Sequence, residues 1–370
     1  MRTVAITGAG GFLAWHLRCR LHALGWRAPL LLNREVWSDV ARRRDLLRQA
    51  DAVVHLAGVN RANPDEVEQG NVMLAKELAE ALDAAGVKPQ VVYASTTHIE
   101  RGTAYGLGKR RAGEILDEWA GRNHATFANL VIPHVFGEQC RPFYNSAAAT
   151  FCYQIANGQE PTVENNSELE LLHAQDVCAA IMRAMDERTH DSIRLAGNPI
   201  TVAELLDKIR ALDASYRNDI VPDLRHRFTL QLFNTYRGYL FPKPYPVRLK
   251  LHTDSRGSLF EAVKDDNGGQ AFLSSTKPGI TRGNHYHINK VERFLVVEGE
   301  AVIKVRKLFN DEIREFMVSG AAPVYIDMPT LHTHNITNTG SGTLLTMFWS
   351  HERFDPTNPD TVREPVQHQG

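Results

Sequence analysis

The sequence predicts two unlike domains, an α/β domain built on a parallel sheet and, after it, an all-β sandwich or barrel. Three observations support this: strand and helix patterns alternate in the first half, prolines cluster near residue 245, and short strands follow at even spacing. Strands that alternate with helices favour a parallel sheet, whereas short strands separated by turn residues are typical of sandwiches and barrels. The length of 370 residues suits two to three domains of about 150 residues.

Five apolar segments rich in strand-forming residues lie in the first half. These predicted strands are Thr3–Thr7, Pro29–Leu32, Ala52–Leu56, Gln90–Ala94 and Thr126–Ile132. Helical patterns cover Trp15–Leu24 and Asn71–Ala85, the second of which ends at Gly86, a residue that favours a helix C-terminus. The gap between Leu32 and Ala52 has room for a helix but hardly for a strand as well. We therefore expect the sheet to lack one strand of the usual doubly wound pattern.

A proline-rich linker marks the domain boundary. Three prolines fall within Phe241–Pro246, which neither a helix nor a central strand tolerates. Upstream, Thr201–Glu204 fits a capping box, so a helix is expected to begin there. Downstream, the predicted strands are Arg293–Glu298, Ala301–Arg306, Arg314–Val318, Val324–Asp327 and Thr343–Trp349. The predicted domains are residues 1–243 and 247–370.

Composition and charge exclude several classes of protein. Basic and acidic residues number 42 and 43, so there is no surplus of charge for nucleic acid or an anionic membrane. The four cysteines have no CxxC spacing and suit a reducing compartment. There is no secretory leader pattern, and no apolar run approaches the ~20 residues of a spanning helix. We expect a cytoplasmic enzyme with no nucleic-acid or membrane partner.

A glycine-rich turn follows the first predicted strand and opens the first helix. Gly8, Gly11 and Ala14 give the spacing GxxGxxA, in which glycine allows a tight turn and a close approach of backbone N–H groups to a pyrophosphate. The predicted dinucleotide contacts here are Gly8, Gly10, Gly11, Phe12 and Leu13.

Asn33 and Arg34 follow the second strand, where a site specific for NAD usually has an acidic residue. A guanidinium at this point suits a 2′-phosphate, so both residues are predicted cofactor contacts and NADPH is the expected cofactor. The alternative is that Arg34 is a solvated surface residue beside Glu35.

Tyr105 and Lys109 lie four residues apart on a predicted helix and therefore share one face. A phenol with a pKa of about 10 is a poor acid at neutral pH, but a nearby ammonium favours the phenolate and makes proton exchange with a carbonyl oxygen feasible. The fourth strand ends in Ser95, Thr96 and Thr97, which supply hydroxyl donors.

With His55–Gly58, these motifs resemble the extended short-chain dehydrogenase/reductases, which have a Rossmann-type fold. The resemblance implies that Thr96 orients the substrate carbonyl, Tyr105 donates the proton and Lys109 holds the nicotinamide ribose. It also implies cofactor contacts from Leu56, Ala57, Gly58 and Pro133. The glycines inside the Tyr105–Lys109 segment depart from the family pattern, and each costs about 1 kcal/mol in a helix interior.

A second group of polar residues lies beyond the linker. His285 and His287 are two apart on a predicted strand and so project from one face, while Glu292 begins the next strand and His334 lies further on. Three imidazoles and a carboxylate form a metal site with open positions. Zinc, iron, manganese and nickel all accept these ligands, and zinc is the expected ion.

These residues resemble both motifs of the cupin family. The predicted fold class is therefore an α/β Rossmann-type domain followed by an all-β cupin (jelly-roll barrel) domain. The second motif departs from the family at Leu331, where glycine is usual. His332 would point into the same cavity as His334 if both lie on a strand. The residue alone leaves open whether His332 is a proton carrier, an extra ligand or a packed bystander.

The whole chain resembles the CapF-type bifunctional enzymes of capsular polysaccharide synthesis. The segments that carry this likeness are His55–Arg61, Tyr144–Ser146, Ala149–Tyr153, Lys277–His285 and Phe354–Thr361. The resemblance implies metal-dependent carbon-3 epimerisation of a UDP-2-acetamido-2,6-dideoxy-4-ketohexose in the cupin. NADPH-dependent reduction at carbon 4 would follow in the Rossmann domain, towards an N-acetyl-6-deoxy-L-hexosamine such as N-acetyl-L-fucosamine.

The same resemblance implies a homodimer and a set of substrate contacts. These predicted contacts are Asn60, Arg61, Arg141, Tyr144 and Asn145. The family usually has Gly-Tyr where this chain has Leu331 and His332, so His332 is the predicted catalytic replacement for that tyrosine. Three alternatives remain: a reductase with a structural cupin, a redox sensor that binds NADP(H) without turnover, and a cupin that performs oxygen chemistry.

Overall fold

The computed structural model of the protein describes residues 2–367, so the outermost positions of the two predicted domains lie outside it. The helices are α1 Phe12–Ala23, α2 Arg34–Ser38, α3 Val40–Leu47, α4 Pro64–Ala85, α5 Ala104–Asn123, α6 Ala147–Ala156, α7 Ala174–Asp186, α8 Val202–Arg217 and α9 Arg227–Leu240. Within the described residues, no helix combines the length and the apolarity that crossing a bilayer requires.

The strands are short in both halves of the chain. In order they are β1 Val4–Thr7, β2 Leu30–Leu32, β3 Ala52–His55, β4 Gln90–Thr96, β5 Phe127–Ile132, β6 His134–Phe136, β7 Glu168–His173, β8 Asp191–Arg194, β9 Asn198–Thr201, β10 Ile220–Val221, β11 Val247–Arg248, β12 His252–Asp254, β13 Gly257–Leu259, β14 Lys264–Asp265, β15 Gln270–Thr276, β16 Thr281–Tyr286, β17 Glu292–Glu298, β18 Glu300–Lys307, β19 Ile313–Ser319, β20 Val324–Met328, β21 His332–Asn338, β22 Leu344–Ser350 and β23 Val362–Arg363.

The first compact unit runs to Phe136 and also contains Ser167–Ile200. Its main sheet has the order β2-β1-β3-β4-β5-β8, and all neighbouring strands are parallel. Because side chains alternate along a strand, Val4 and Ile6 pack with α1 and α7, whereas Ala5 packs with α4 and α5. The gap between β2 and β3 holds α2 and α3 and no strand, as its length predicts.

Helix α4 begins seven residues before the predicted start at Asn71, and its N-terminal cap explains the difference. The Asn63 side chain accepts a hydrogen bond from the Glu66 N–H at 2.9 Å, and Pro64 occupies the first turn. These polar residues begin the helix before its apolar pattern starts. At the other end, Gly86 has a φ of 68° and ends α4 as predicted.

The second compact unit contains Gly137–Asn166 and the residues from Thr201 onward. It holds two five-stranded antiparallel sheets, ordered β11-β20-β17-β22-β15 and β19-β18-β21-β16-β23. Side chains from both sheets share one apolar core, including Phe294 and Phe348 from the first and Ile303 and Ile336 from the second. All five strands predicted beyond the linker are present, so a parallel-sheet region followed by antiparallel strands is confirmed.

Helices α6, α8 and α9 belong to the same compact unit as these sheets. Arg293 of β17 forms a fully buried ion pair with Asp327 of β20 at 2.7 Å, and the Tyr216 hydroxyl of α8 donates to the Asp327 carboxylate. Helix α9 ends at Leu240 and β11 begins at Val247, so the proline-rich linker has no helix or strand, as expected. The predicted domain boundary between 243 and 247 stays a prediction.

Candidate functional sites

The turn after β1 has the geometry of a phosphate-binding loop. Gly8 has a φ of 63°, and a Cβ at this position would lie 2.7 Å from the Ala57 backbone nitrogen, so only glycine fits. Gly11 caps α1 without any side-chain hydrogen bond, and the first turn of α1 has no acidic residue. Gly10, Phe12 and Leu13 lie in the same turn. The N–H groups and dipole of α1 therefore suit a bound anion.

The other predicted cofactor contacts follow the carboxyl ends of neighbouring strands. Leu56, Ala57 and Gly58 leave β3, and the buried Pro133 leaves β5. The Ala57 N–H donates to the Thr7 hydroxyl at 3.3 Å, which ties the segment after β3 to the end of β1.

Asn33 and Arg34 lie where β2 meets α2. The Asn33 side chain is the cap of α2 and accepts a hydrogen bond from the Val36 N–H at 2.9 Å. Arg34 is exposed at the first position of that helix. The structure thus gives Asn33 a structural task that the sequence did not predict and leaves the Arg34 side chain accessible to solvent.

Thr96, Tyr105 and Lys109 lie at the end of β4 and in the first two turns of α5. The buried Thr96 hydroxyl accepts a hydrogen bond from the His98 N–H at 3.3 Å. Tyr105 and Lys109 share one helical face, as their spacing predicts. The Lys109 ammonium lies 4.3 Å from the centre of the Tyr93 ring, and burial lowers the pKa of Lys109 to about 7.

The two glycines between Tyr105 and Lys109 are required by packing. A Cβ at Gly106 would lie 2.0 Å from the His98 carbonyl oxygen, and one at Gly108 would lie 2.8 Å from the Glu68 carbonyl oxygen of α4. The low helix propensity of glycine is thus offset by two close backbone contacts that hold α5 in place.

Two histidines beside this group were missed by the sequence analysis. The His98 ring centre lies 5.9 Å from that of Tyr105 and 5.5 Å from that of His134. Burial lowers the pKa of both imidazoles, and Nδ1 of His134 is buried without a hydrogen-bond partner within the described part of the chain. His134 also lines a pocket of about 460 Å³. His98 directly follows Thr97 and His134 directly follows Pro133, and this proximity to predicted site residues is the signal in the sequence that could have identified them.

The second site gathers the four predicted metal ligands. His285 lies on β16, His287 just after it, Glu292 begins β17, and His334 lies on β21. Their ligand atoms all lie within 4.8 Å of one another. The Glu292 Oε2 atom is 3.0 Å from His287 Nε2, 3.2 Å from His334 Nε2 and 3.7 Å from His285 Nε2. The donor set suits a divalent cation with an open coordination position.

The predicted placement of His285 and His287 on one strand is wrong in detail. Strand β16 ends at Tyr286, so His287 lies beyond it. The pairing of β16 with β21 is irregular between Gly283 and His285, and Asn284 has a φ of 57°. The two imidazoles still converge, because the strand ends in a turn that brings His287 back toward Glu292.

Backbone carbonyls orient two of the three imidazoles. Nδ1 of His287 donates to the Asp360 carbonyl, and Nδ1 of His334 donates to the His332 carbonyl at 3.1 Å. This leaves Nε2 of each ring directed at the Glu292 carboxylate, as the atom available to coordinate a cation. Metal-ligating histidines are typically oriented by such a donation from the other ring nitrogen.

The protonation states of Glu292 and His334 also suit a cation. Burial alone would raise the pKa of the Glu292 carboxyl, but His287, His285 and His334 hold it well below its usual range. Burial lowers the pKa of His334 to about 4. Glu292 and His334 are thus in the form that binds a metal at neutral pH, whereas Glu292 and Asp360 outweigh burial and raise the pKa of His287, which a cation would have to deprotonate.

His332 lies at the start of β21 and is buried. It is two residues before His334 and therefore on the same face of the strand. Its Nδ1 donates to the Thr330 carbonyl at 2.8 Å, and its ring packs on Phe241 at 5.6 Å. His332 is not part of the four-residue cluster in the described chain, which disfavours the extra-ligand interpretation.

Leu331, where the cupin family usually has glycine, is in the left-handed region. Its φ is 60° and its side chain is fully buried. Its N–H donates to the His287 carbonyl at 2.8 Å, which links this residue to the metal cluster. The backbone conformation accounts for the usual glycine.

The predicted substrate contacts divide between the two compact units. Asn60 and Arg61 are exposed after β3 in the first unit. Arg141, Tyr144 and Asn145 lie before α6 in the second unit, where the Arg141 guanidinium is 5.2 Å from the centre of the Tyr144 ring. The structure does not bring these five residues together within one unit.

Comparisons with known proteins agree with this arrangement. Residues 4–196 match the NAD dependent epimerase/dehydratase family, and residues 252–362 match the polysaccharide biosynthesis C-terminal domain. A UDP-2-acetamido-2,6-beta-L-arabino-hexul-4-ose reductase of Pseudomonas aeruginosa is 34% identical, with 97% of each chain covered.

Solved structures give the same result. The capsular polysaccharide assembling protein CapF of Staphylococcus aureus is similar with a TM-score of 0.62 and 33% identity, over 98% of this chain and 100% of that one. A UDP-N-acetylglucosamine 4-epimerase of Bacillus cereus, 19% identical with a TM-score of 0.54, covers 64% of this chain and 96% of its own, and shares the fold. The chain therefore belongs to the NAD dependent epimerase/dehydratase family and, over nearly its whole length, to the CapF-type proteins within it.

Proposed function

We propose that the protein is a bifunctional nucleotide-sugar enzyme. In this proposal a cupin site epimerises carbon 3 of a UDP-2-acetamido-2,6-dideoxy-4-ketohexose, and an NADPH-dependent site then reduces the ketone at carbon 4. The product would be the precursor of an N-acetyl-6-deoxy-L-hexosamine such as N-acetyl-L-fucosamine. The observation that carries the proposal is that one chain has both the Tyr105–Lys109 pair and the His285, His287, Glu292 and His334 cluster.

The turn at Gly8 and the N-terminus of α1, which has no side-chain cap, fit a dinucleotide. The exposed Arg34 fits a 2′-phosphate. The bound nicotinamide supplies the hydride. Tyr105 donates its phenolic proton to the carbonyl oxygen at carbon 4, and the Thr96 hydroxyl donates a hydrogen bond to the same oxygen. Lys109 holds the ribose and favours the phenolate that remains.

The cluster of three imidazoles and one carboxylate fits a divalent ion, for which zinc is our first choice. His285, His287, Glu292 and His334 would hold the ion, which would supply Lewis acidity to the negative charge that develops when the proton at carbon 3 is removed. We assign His332 as the proton carrier at carbon 3. Its Nδ1 donates to the Thr330 carbonyl, so its Nε2 is the atom that exchanges the proton.

Thr330 is itself fixed by the buried Glu138. The Thr330 hydroxyl donates to the Glu138 carboxylate at 2.7 Å, so the carbonyl that orients the His332 ring belongs to an anchored residue. This support gives the His332 ring a defined position, as a proton carrier requires, and only substitution of His332 separates that role from a packed bystander.

The chemistry sets the order of the two steps. A ketone at carbon 4 acidifies the hydrogen at carbon 3, and reduction removes that ketone. Epimerisation therefore comes first, and reduction fixes the new configuration. A reduced, unepimerised sugar that the enzyme still epimerises would contradict this order.

We also expect the protein to be a homodimer and to act in the cytoplasm.

The test is the product mass after reaction in D₂O with NADPH and a UDP-4-keto-6-deoxy-N-acetylhexosamine. After return to H₂O, a reduced sugar with one carbon-bound deuterium supports both activities. Reduced sugar without deuterium favours the alternative of a reductase with a structural cupin, provided that the supplied substrate had not already exchanged. No reduction would contradict the proposed substrate. A control with deuterated NADPH in H₂O locates the hydride position separately.

A further inference from the structure

The C-terminal segment, residues 354–367, lies along the strand and turn that carry two of the metal ligands. Strand β23 pairs with the end of β16, where His285 lies opposite Arg363. The buried Arg306 holds the segment beyond β23, because its guanidinium donates to the Glu364 carboxylate at 3.0 Å and to the Val366 carbonyl at 2.7 Å. Val366 is fully buried. Residues 362–366 are therefore held in place by backbone pairing and by Arg306.

Asp360 accepts four hydrogen bonds, three from the turn between two candidate ligands and one from the ligand His287 itself. Its carboxylate accepts hydrogen bonds from three consecutive N–H groups, those of Ile288 at 2.9 Å and of Asn289 and Lys290 at 2.8 Å each. Its backbone carbonyl accepts from Nδ1 of His287. The three N–H groups lie between His287 and Glu292, so one residue holds both the imidazole and the turn that follows it.

We propose that Asp360 is a positioning residue for the metal site, a role that rests on the proposed function of the cluster. It fixes the His287 ring with Nε2 toward Glu292, and it fixes the interval between these two ligands. Hydrogen bonds from N–H groups to a carboxylate are stronger than those between neutral groups. Loss of a residue that orients a metal ligand typically weakens metal binding 10–100-fold.

The partners of Asp360 distinguish it from an ordinary turn residue. A carboxylate that only stabilises its own turn accepts from its neighbours in sequence, as Asp355 does from the Thr357 N–H at 2.8 Å. The N–H partners of Asp360 lie 70 to 72 positions earlier in the chain. Asp360 also has a φ of 39°, a value that aspartate tolerates better than most residues. Asp355 is exposed in the same segment and provides a matched control.

The test measures metal affinity of the full-length protein without substrate. Metal-free parent, Asp360→Ala, Asp360→Asn and Asp355→Asn proteins are titrated with Zn²⁺ against a chromophoric chelator and with Co²⁺ by visible absorption. Asp360→Ala keeps the backbone carbonyl that accepts from His287 but removes the carboxylate that ties this carbonyl to the turn. We therefore expect it to raise the Zn²⁺ dissociation constant by roughly 10–100-fold and to alter the Co²⁺ spectrum. Asp360→Asn keeps one amide oxygen as an acceptor and should show a smaller change, whereas Asp355→Asn should bind as the parent does.

Melting temperatures with and without Zn²⁺ separate positioning from general stability, because a tighter site gives a larger shift on metal addition. A smaller metal-induced shift in the Asp360 variants supports the proposal. Parent-like affinity and spectrum in both variants, or equal losses with and without metal, overturn it while the metal site stands. If Asp360→Ala does not fold, Asp360→Asn decides by the same criteria. A parent protein that binds neither ion overturns the metal site and the role of Asp360 with it.

Discussion

At the nucleotide end the candidate site is built mainly from backbone, whereas at the metal end it is built from side chains. Gly8, Gly106 and Gly108 sit where a Cβ would lie within 3 Å of another backbone atom. The metal cluster instead depends on four particular side chains and on the carbonyls that orient them. The first kind of site is sensitive to added atoms, and the second is sensitive to lost ones.

The two sites also differ in what surrounds a buried ionisable group. Lys109 is buried, and desolvation lowers its pKa to about 7, so its charge is easily lost in the absence of an anionic partner. The Glu292 carboxyl is equally buried, yet the surrounding imidazoles hold its pKa well below the usual range. A bound cofactor is expected to complete the first environment, and a bound cation the second.

The largest expected effect separates the two activities. Tyr105→Phe should lower the rate of reduction by roughly 10²–10⁴-fold, because the carbonyl oxygen loses its proton donor. Deuterium exchange at carbon 3 should continue. Replacement of both His285 and His287 by alanine should abolish exchange and leave reduction measurable. Mass spectrometry of the sugar and NADPH absorbance report the two steps, and the loss of both activities in either protein would contradict independent sites.

Gly106→Ala tests the role of close backbone contacts at the nucleotide end. The added Cβ would lie 2.0 Å from the His98 carbonyl oxygen, so we expect a loss of about 3 kcal/mol in stability, measured by urea unfolding. Gly121→Ala on the same helix is the matched control, because its Cβ would have no atom within 4 Å. This control should change stability by no more than about 1 kcal/mol, in the stabilising direction. Equal effects of the two changes would refute the packing argument.

Arg34→Ala tests the choice of cofactor. Loss of a charge-assisted contact with a 2′-phosphate should raise the KM for NADPH about tenfold and leave the KM for NADH unchanged. Arg42→Ala, which removes another exposed arginine nearby, should leave the preference as it is. Steady-state kinetics with both cofactors measure the preference. An unchanged preference in Arg34→Ala would support the alternative that Arg34 is a solvated surface residue.

Lys109→Met tests whether the buried ammonium makes the stability of the protein depend on pH. This is the smallest of the expected effects. Below about pH 7 Lys109 is charged in both the folded and the unfolded chain, so the folded state bears the full cost of burying the ammonium. As the pH rises towards the unfolded pKa of about 10.4, that cost disappears. The parent should therefore gain roughly 1 kcal/mol per pH unit relative to Lys109→Met between pH 7.5 and 9, in cofactor-free unfolding experiments. A difference that is independent of pH would show that Lys109 is not desolvated.

The features that the sequence predicts correctly depend on residues close together in the chain or on the spacing of a motif. Strand periodicity, the cap at Thr201 and the four candidate metal ligands are all indicated by nearby residues or by motif spacing, and the structure has the strands, the cap and the cluster of these four side chains. The end of β16 before His287 was not predictable, because the irregular pairing with β21 depends on a distant strand. The segment that contains Asp360 was noted only for its family likeness, and the role of this residue was not predicted because its N–H partners lie 70 to 72 positions earlier.

Helix propensity alone gives the wrong expectation for the helix around Tyr105. Considered alone, Gly106 and Gly108 weaken α5, but the neighbouring backbones at His98 and Glu68 leave no room for any other residue. The importance of His98 and His134 likewise depends on the approach of two segments distant in sequence.

Leu331 has a consequence for how this sequence can change. Leu331→Gly would relieve about 1–2 kcal/mol of left-handed strain, but it would also empty a fully buried site, which costs about 2–5 kcal/mol for a leucine side chain. We therefore expect Leu331→Gly to lower the stability of the protein, although glycine suits the backbone better. Packing thus outweighs backbone strain at this position, and the segment that leads into His332 is held in a conformation that its own side chain disfavours.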